Sequence, residues 1–537
     1  MNYLLAFLAG QALHALIFCR GEWDAYASDI VVGAILLNLG STVVLHTTSA
    51  VDSWWVSFRN SATLELATVA GLFTSMLVYR ALFHALCRYP GPFMARLSNF
   101  YLLFLSKRLQ LYRELQQLHE RYGDIVRLGP STLSVTKLEA VQAIYGPKSK
   151  CRKGPWYEHS KPMMTLHTTR DPVAHAQQRR TWERGLSSAG IRNYRDFIAQ
   201  TTQSLVKRIE TSQGQVFDAA QWFKFFSFEV MGWMAFGQAF DLLATGKSTY
   251  FMNLLDESAT ILGTVAHLPW LFLLMKMTPV LNAPLLTFRK WLHDQLEVQM
   301  EKPADSVCCL FSSILEHFPC SAELTVKQRR LLEGDMFLII VAGSETVAVT
   351  LQNLLYELSI NPDAQRKLQQ EIDADVAGVD ECDPARLARL GYLQACIDET
   401  LRLWPPVASG TQRITPPEGL QVGDVLLPGN MIVQVPAIVV HRNKEAFPRP
   451  NEFIPERWTT KPELVVDRSV FFPFSVGKYS CPGRQLGLLE LRHAIVEILK
   501  RYTVQLAPGF TSRDFEDGIV DRFSTEVSRL DLTFTKR

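Results

Sequence analysis

Apolar residues are distributed along this chain in two regimes that meet near residue 88. Before that point they form long unbroken runs. Asn2 to Cys19 carries no charge, Ile30 to Val51 carries none and is rich in Val, Leu and Ile, and Leu66 to Phe83 is broken only by Arg80. Runs of this length approach the ~20 residues that cross the hydrocarbon core of a bilayer as a helix. After Tyr89-Pro90-Gly91-Pro92, a run that stops any helix and fixes a stiff exit angle, the pattern turns periodic and charged. Leu109 to Tyr122, Ile191 to Thr211, Leu331 to Leu358 and Arg484 to Lys500 predict helices, while Gly129 to Val135 and Gly419 to Val435 predict short strands and turns. The expected class is mainly α with a minor β part, preceded by N-terminal transmembrane helices.

Two regions follow. Residues 1–88 are expected to form a membrane anchor with up to three spans, at about 2–19, 30–51 and 66–83, and residues 89–537 the main folded domain. The first 88 residues hold no lysine, four arginines and five acidic residues. No basic residue precedes the first apolar run, and the polar stretch Arg20 to Asp29 leads directly into a second run, so retained anchors are favoured over a cleaved signal peptide. Arg80, His84 and Arg88 follow the third run, which puts the remainder of the chain on the cytosolic side and, with three crossings, Met1 in the lumen. One or two crossings also satisfy the pattern. Arg80 is expected to reach the interface along its own stem.

Composition narrows the function by exclusion. A net charge of +2 over 537 residues, with no basic stripe, excludes nucleic acid as the main partner. The nine cysteines show no C-x-x-C pair, so neither a zinc site nor a thioredoxin-type motif is indicated. Most are expected to be buried and reduced. Cys481 is different.

Cys481 lies in Phe474-Ser475-Val476-Gly477-Lys478-Tyr479-Ser480-Cys481-Pro482-Gly483, a glycine-bearing loop that feeds a helix. Gly477 permits an unusual backbone angle and close approach, and Gly483 lets the helix start lie flat on a large planar ligand. A helix N-terminus favours an anionic thiolate, while Phe474 packs beside the sulfur and keeps water away. This loop resembles the Phe-x-x-Gly-x-Arg-x-Cys-x-Gly haem-binding loop of the cytochrome P450 family. The resemblance implies the P450 fold over about Arg88 to Arg537, haem b with Cys481 as the axial thiolate, and contacts from Phe474, Gly477 and Gly483 around it. The loop departs from the pattern at one place: Tyr479 stands where the family carries an arginine that contacts a haem propionate. Tyr479 by its hydroxyl or Lys478 by its charge is expected to take that role.

Three further constellations, each ordinary alone, extend the resemblance in the family's order. Glu399-Thr400-Leu401-Arg402 with Arg457 in Phe453-Ile454-Pro455-Glu456-Arg457-Trp458 resembles the buried Glu-x-x-Arg and Pro-Glu-Arg-Trp charge cluster, although i, i+3 pairs are usually solvated. Ala342-Gly343-Ser344-Glu345-Thr346 resembles the oxygen groove of the family's central helix. There Gly343 and Thr346 open the helix and the Glu345/Thr346 pair relays protons. The ordinary reading of Gly-x-x-Thr is a packing glycine beside a satisfied threonine. His175 and Arg179, at i and i+4 after the helix start Asp171-Pro172, and Arg413 after Pro405-Pro406, occupy the places of the propionate anchors.

The resemblance therefore implies a haem-thiolate monooxygenase that oxidises a lipophilic small molecule with O2. The multi-span N-terminus and the Gly-x-Tyr-x-Cys loop point to filamentous-fungal members that decorate secondary metabolites. Electrons are expected from NADPH-cytochrome P450 reductase, because no Gly-x-Gly-x-x-Gly fingerprint follows Cys481. Lys478, Arg484 and Arg492 are the residues expected to steer that acidic partner. Membrane lipid is the second partner, at the endoplasmic reticulum with the catalytic domain facing the cytosol. Trp156, Tyr157, Met163, Met164, Met336, Phe337, Ile340 and Val407 to Gly410 are the expected substrate-facing residues. Two rivals share the motifs: a haem-thiolate catalyst of oxidative coupling, desaturation or isomerisation without net oxygen insertion, and a non-catalytic membrane haem binder.

Overall fold

The computed structural model describes residues 2–48, 53–302, 309–318, 323–376 and 383–537. Cys308, Cys320, Cys382 and the end of the second expected span (49–51) lie outside the described residues.

The apolar runs fold into three helices that pack on one another. The first, Asn2–Leu13 continued by a wider turn over His14–Phe18, lies beside the third, Trp54–Val78 continued over Tyr79–Phe83. Gly10 and Gly71 let these two backbones touch: a Cβ on Gly10 would strike Thr68 O, and one on Gly71 would strike Phe7 O. Contacts at 7 with 71, and at 14 with 75 and 79, make this pair parallel. The second helix, Ala27–Thr48, runs antiparallel to the third, joined by Asn38 donating to Glu65 at 2.9 Å and by Ser41 with Ser61. The third helix starts twelve residues before the expected span, at Trp54 rather than Leu66. Its first turns carry Arg59 and Glu65, and the Asn38 bond absorbs the latter. Arg80 does not reach outward along its stem; its guanidinium donates to Leu97 O at 3.0 Å, fastening the last turn to the chain beyond the Pro-Gly-Pro run.

Beyond residue 89 the structure is mainly helical, with small sheets at the edges. The central helix Val326–Ile360 is fixed at its start by a reciprocal cap: Thr325 Oγ1 accepts from Gln328 N and Gln328 Oε1 accepts from Thr325 N. It is as apolar as the anchor helices, yet most of its residues are buried against protein, so it belongs to the core. Around it pack Ala219–Phe236, Gly391–Leu403 and Arg484–Leu499, whose buried Leu, Ile and Phe side chains form one continuous core. The largest sheet has the spatial order Ile125–Gly129, Thr132–Val135, Ile432–Gln434, Arg413–Ile414, Arg152–Lys153. Only the Thr132–Val135/Ile432–Gln434 pairing is parallel. Its last ladder sets Lys153 directly opposite Arg413.

Candidate active site

A cavity of about 650 Å³ lies between the central helix, the Pro-Pro turn, the segment 153–168 and the cysteine loop. Its wall is mostly apolar, and Cys481, Thr346 and Glu345 all reach it.

The loop's shape follows from its glycines and one threaded hydrogen bond. Gly477 has φ +70°, and a Cβ there would lie 2.5 Å from Tyr145 O, so no other residue fits. Cys481 N donates to Phe474 O at 2.8 Å and closes the loop, and the helix Arg484–Leu499 begins three residues later. Cys481 is surface-exposed, but the space it meets is the cavity and not bulk water. Burial raises the thiol's pKa, and the amides of Gly483 and Arg484 with the charge of Arg179 pull it down. These are the groups a bound thiolate would use. Arg484 stacks over Phe474 at 5.4 Å, covering that ring on its outer side.

At the cavity's edge stand two buried cations, Lys153 and Arg413, and among the described residues no carboxylate pairs with either. Lys153 is 3 % exposed; its amine donates to Leu166 O at 3.0 Å and His167 O at 2.7 Å. Burial, then the charges of Arg413 and Arg179, lower its pKa to about 6. Arg413 donates to Tyr157 Oη at 2.9 Å, while its Nε is buried with nothing to bond. His175 is held at about 3 by burial and by Lys153, Arg179 and Arg413. The Tyr479 ring forms the floor: Arg413 lies 4.8 Å and Lys153 5.0 Å from its centre, His175 meets it edge-on at 4.8 Å, and its buried hydroxyl has no partner. Like charges opposed across a ladder are unfavourable unless something anionic sits between or beside them. The two carboxylates of haem fit that demand, and the orphaned Arg413 Nε and Tyr479 Oη are donors ready for them.

Lys153 was not marked by the sequence. Strand alternation puts it inward, but only the register opposite Arg413 reveals its company. Lys478 also lies over the Tyr479 ring, 5.2 Å from its centre, but it is exposed and its amine donates to Ser149 O at 3.3 Å, whereas Lys153 is the buried lysine at that ring. Arg179 reaches the cavity wall. Its guanidinium holds Ser480 O and Ser480 Oγ and pairs with Glu183, so it braces the cysteine loop from the anchor helix Pro172–Gly185. That helix starts as read, with Asp171 accepting from Ala174 N at 2.7 Å and Pro172 in its first turn.

On the central helix, the expected opening at Gly343 is absent. The helix runs unbroken for 35 residues, and Thr346 Oγ1 donates back to Ala342 O at 2.8 Å. Gly343 is small because the sulfur of Met231, from Ala219–Phe236, fills the space of its Cβ; the packing account is the one the structure favours. Glu345 and Thr346 share the cavity wall but do not bond each other. Glu345 accepts from Ser524 Oγ at 2.6 Å, and its burial raises its pKa. Ser524 has no motif to announce it. Among the expected substrate-facing residues, Trp156, Tyr157, Met163, Phe337, Val407 and Gly410 line the cavity, whereas Met336 and Ile340 are buried in the core and Met164, Ala408 and Ser409 also stay off the wall.

Away from the cavity, Glu399 is the centre of a closed cluster. It accepts from Arg402 Nε and Nη2 (both 2.9 Å), Arg457 Nε (2.8 Å), Trp458 Nε1 (3.0 Å) and Ile454 N (2.9 Å). Six further guanidinium hydrogen bonds go to the carbonyls of His441, Pro450, Glu452, Pro448, Leu464 and Arg449. All three side chains are completely buried.

Comparison with known proteins agrees with this geometry. The family model described as Cytochrome P450 matches residues 90–534. Cytochrome P450 monooxygenase FCK2 of Fusarium pseudograminearum is 44% identical over 100% of this chain and 98% of its own length. Cytochrome P450 monooxygenase orf5 of Eupenicillium brefeldianum is 42% identical over 87% and 94%. Tryprostatin B 6-hydroxylase of Aspergillus fumigatus is 35% identical over 99% and 95%. A solved cytochrome P450 structure, CYP102L1, matches with a TM-score of 0.66 at 21% identity, covering 80% of this chain and 94% of that one, which establishes the fold. The family uses haem b with a cysteine thiolate as axial ligand, a redox-partner reductase and lipophilic substrates. The chain belongs to the cytochrome P450 family and is a haem-thiolate monooxygenase.

Proposed function

We propose that this monooxygenase hydroxylates a lipophilic secondary metabolite at the endoplasmic reticulum, with electrons from NADPH-cytochrome P450 reductase. The observation that carries the reading is the cavity itself: about 650 Å³ and mostly apolar, lying between the loop that bears the Cys481 sulfur and the central helix that bears Glu345 and Thr346. That space seats the haem and leaves its apolar remainder to the substrate, and two relatives are named for hydroxylating tryprostatin B.

Residues 1–88 anchor the protein and 89–537 carry the chemistry. The parallel first and third helices with the antiparallel second support three crossings. The linker Gly21–Tyr26 and the catalytic domain then lie on the same, cytosolic, face.

Bound haem supplies the activation of dioxygen. The chain's own groups do the rest. Cys481 offers its sulfur, with the amides of Gly483 and Arg484 directed to it. Lys153, Arg413, His175 and Tyr479 hold the propionates, and Arg179 fixes the loop through Ser480. Thr346 Oγ and the Glu345 carboxyl pass protons toward the cavity, with Ser524 holding Glu345 in place. Glu399, Arg402 and Arg457 keep the loop's support rigid. The test is turnover of the metabolite that accumulates on gene deletion, by membranes containing the chain and the reductase, under labelled dioxygen. One labelled oxygen in the product is expected; a product lacking the label assigns the chain to coupling, desaturation or isomerisation instead.

A further inference from the structure

The three N-terminal helices do more than tether the domain. Glu22, in the linker between the first two of them, accepts two hydrogen bonds from Arg170: Nη2 to Oε1 and Nη1 to Oε2, both 2.9 Å. A two-pronged arginine–carboxylate pair fixes orientation as well as distance. Arg170 has other obligations. Its Nη1 also reaches Glu158 Oε1 at 3.0 Å and its Nε donates to Lys153 O at 3.1 Å. Glu158 belongs to the turn Pro155–Ser160, whose Trp156, Tyr157 and His159 line the cavity.

The same linker touches a second element that lines the cavity and packs on this turn. The turn Asp24–Tyr26 and the second helix both pack on the short helix Pro269–Met277, which lines the cavity with Phe272, Met275 and Lys276. Lys276 completes the ring by donating to the carbonyls of His159 and Lys161. The crevice between linker, turn and short helix is closed to about 10 Å³.

We propose that Glu22 and Arg170 form a clasp through which the segment between the first two spans holds the turn and the short helix together at the cavity mouth and sets how fast bulky lipophilic molecules enter. The two are positioning residues; neither touches the reacting atoms. The inference rests on the three-span reading above. Both side chains keep some solvent contact (Arg170 24%, Glu22 41%), so the clasp is sensitive to salt.

The test uses full-length, membrane-inserted haem protein and two azole probes followed by stopped-flow difference spectra: clotrimazole, which is bulky, and imidazole, which is small. In Glu22→Gln and Glu22→Arg, clotrimazole association and dissociation are both expected to quicken by about two- to five-fold, the size a partly exposed pair permits. Imidazole rates and haem content should match the parent. Raising salt should quicken clotrimazole entry in the parent and leave Glu22→Gln unmoved. Clotrimazole rates equal to the parent's in both variants, or a salt response kept in Glu22→Gln, overturn the clasp, and so does equal quickening of both probes. Labelling of Tyr26→Cys from the cytosolic side separates the two ideas. A linker on the far side overturns the topology together with the clasp, whereas a cytosolic linker with parental rates overturns the clasp alone.

Discussion

Two buried charge clusters of this protein follow opposite rules. Around Glu399 every guanidinium face is answered by a carboxylate or a carbonyl, and nothing is left for a ligand. Around Tyr479 three cationic side chains (Lys153, Arg413 and the exposed Lys478) and a histidine converge, and among the described residues no carboxylate pairs with them. Arg413 Nε and Tyr479 Oη stay unsatisfied. Unpaired polar groups in a protein interior are costly and therefore rare. The first cluster is thus architecture, complete in the polypeptide, and the second is half of an interaction whose other half is a dianion.

The contrast predicts opposite responses to the same kind of damage. The largest effect belongs to the closed cluster. Glu399→Ala strands two buried guanidinium groups and should lower stability by ~3–5 kcal/mol, with little haem-loaded protein recovered. Denaturant unfolding and the haem-to-protein ratio check it. In the open cluster, Arg413→Leu or Lys153→Met should weaken haem retention about ten- to hundred-fold, measured by transfer of haem to an acceptor protein, because each removes a charged donor to a carboxylate. The haem-free forms of the same variants should be more stable than haem-free parent, by about 1–2 kcal/mol, since the cost of burying a second basic group, as repulsion or as a lost proton, is gone. Loss of stability in both forms would erase the distinction between the clusters.

A smaller, pH-dependent effect sharpens the point. Lys153 sits at about 6 in the folded chain against its ordinary 10.5, so the unfolded chain binds the extra proton between those values. Haem-free parent should accordingly gain stability relative to Lys153→Met as pH rises from 6 toward 10.5, and the difference should be constant below 6. Bound haem, by supplying carboxylates, should flatten that slope. The smallest effect is the control: the exposed pair Lys150–Glu418 touches neither cluster, and Lys150→Ala should leave the melting temperature where it was.

Much of this was legible before any coordinates, and the boundary of legibility has a physical cause. Cys481, Gly477, Phe474 and the Glu399–Arg402–Arg457 set are local or fixed-spacing motifs, so their chemistry is carried by neighbours in sequence. The anchor helices were legible from apolar runs, apart from the start of the third, where Arg59 and Glu65 masked twelve residues that pack on the second helix. Lys153, Ser524 and the Glu22–Arg170 pair were not legible. Each acts through a partner more than a hundred residues away, brought near by a strand ladder or a helix packing that leaves no periodic trace. The packing role of Gly343, which also lines the cavity, was hidden for the same reason: the side chain that needs its missing Cβ is Met231, on another helix. Lys478 was legible because it is adjacent in sequence, and its amine does lie over the Tyr479 ring at 5.2 Å; what adjacency could not show is that it stays exposed while Lys153 supplies the buried charge.

The central claim is that the sulfur of Cys481 is the protein's grip on iron, and the spectrum of the reduced, carbon monoxide-treated protein tests it most directly. Intact protein should give the long-wavelength Soret band of thiolate ligation, and Cys481→Ser, if it retains haem, should lose that band. A parent without the band, or a Cys481→Ser protein that keeps both the band and turnover, would contradict the account.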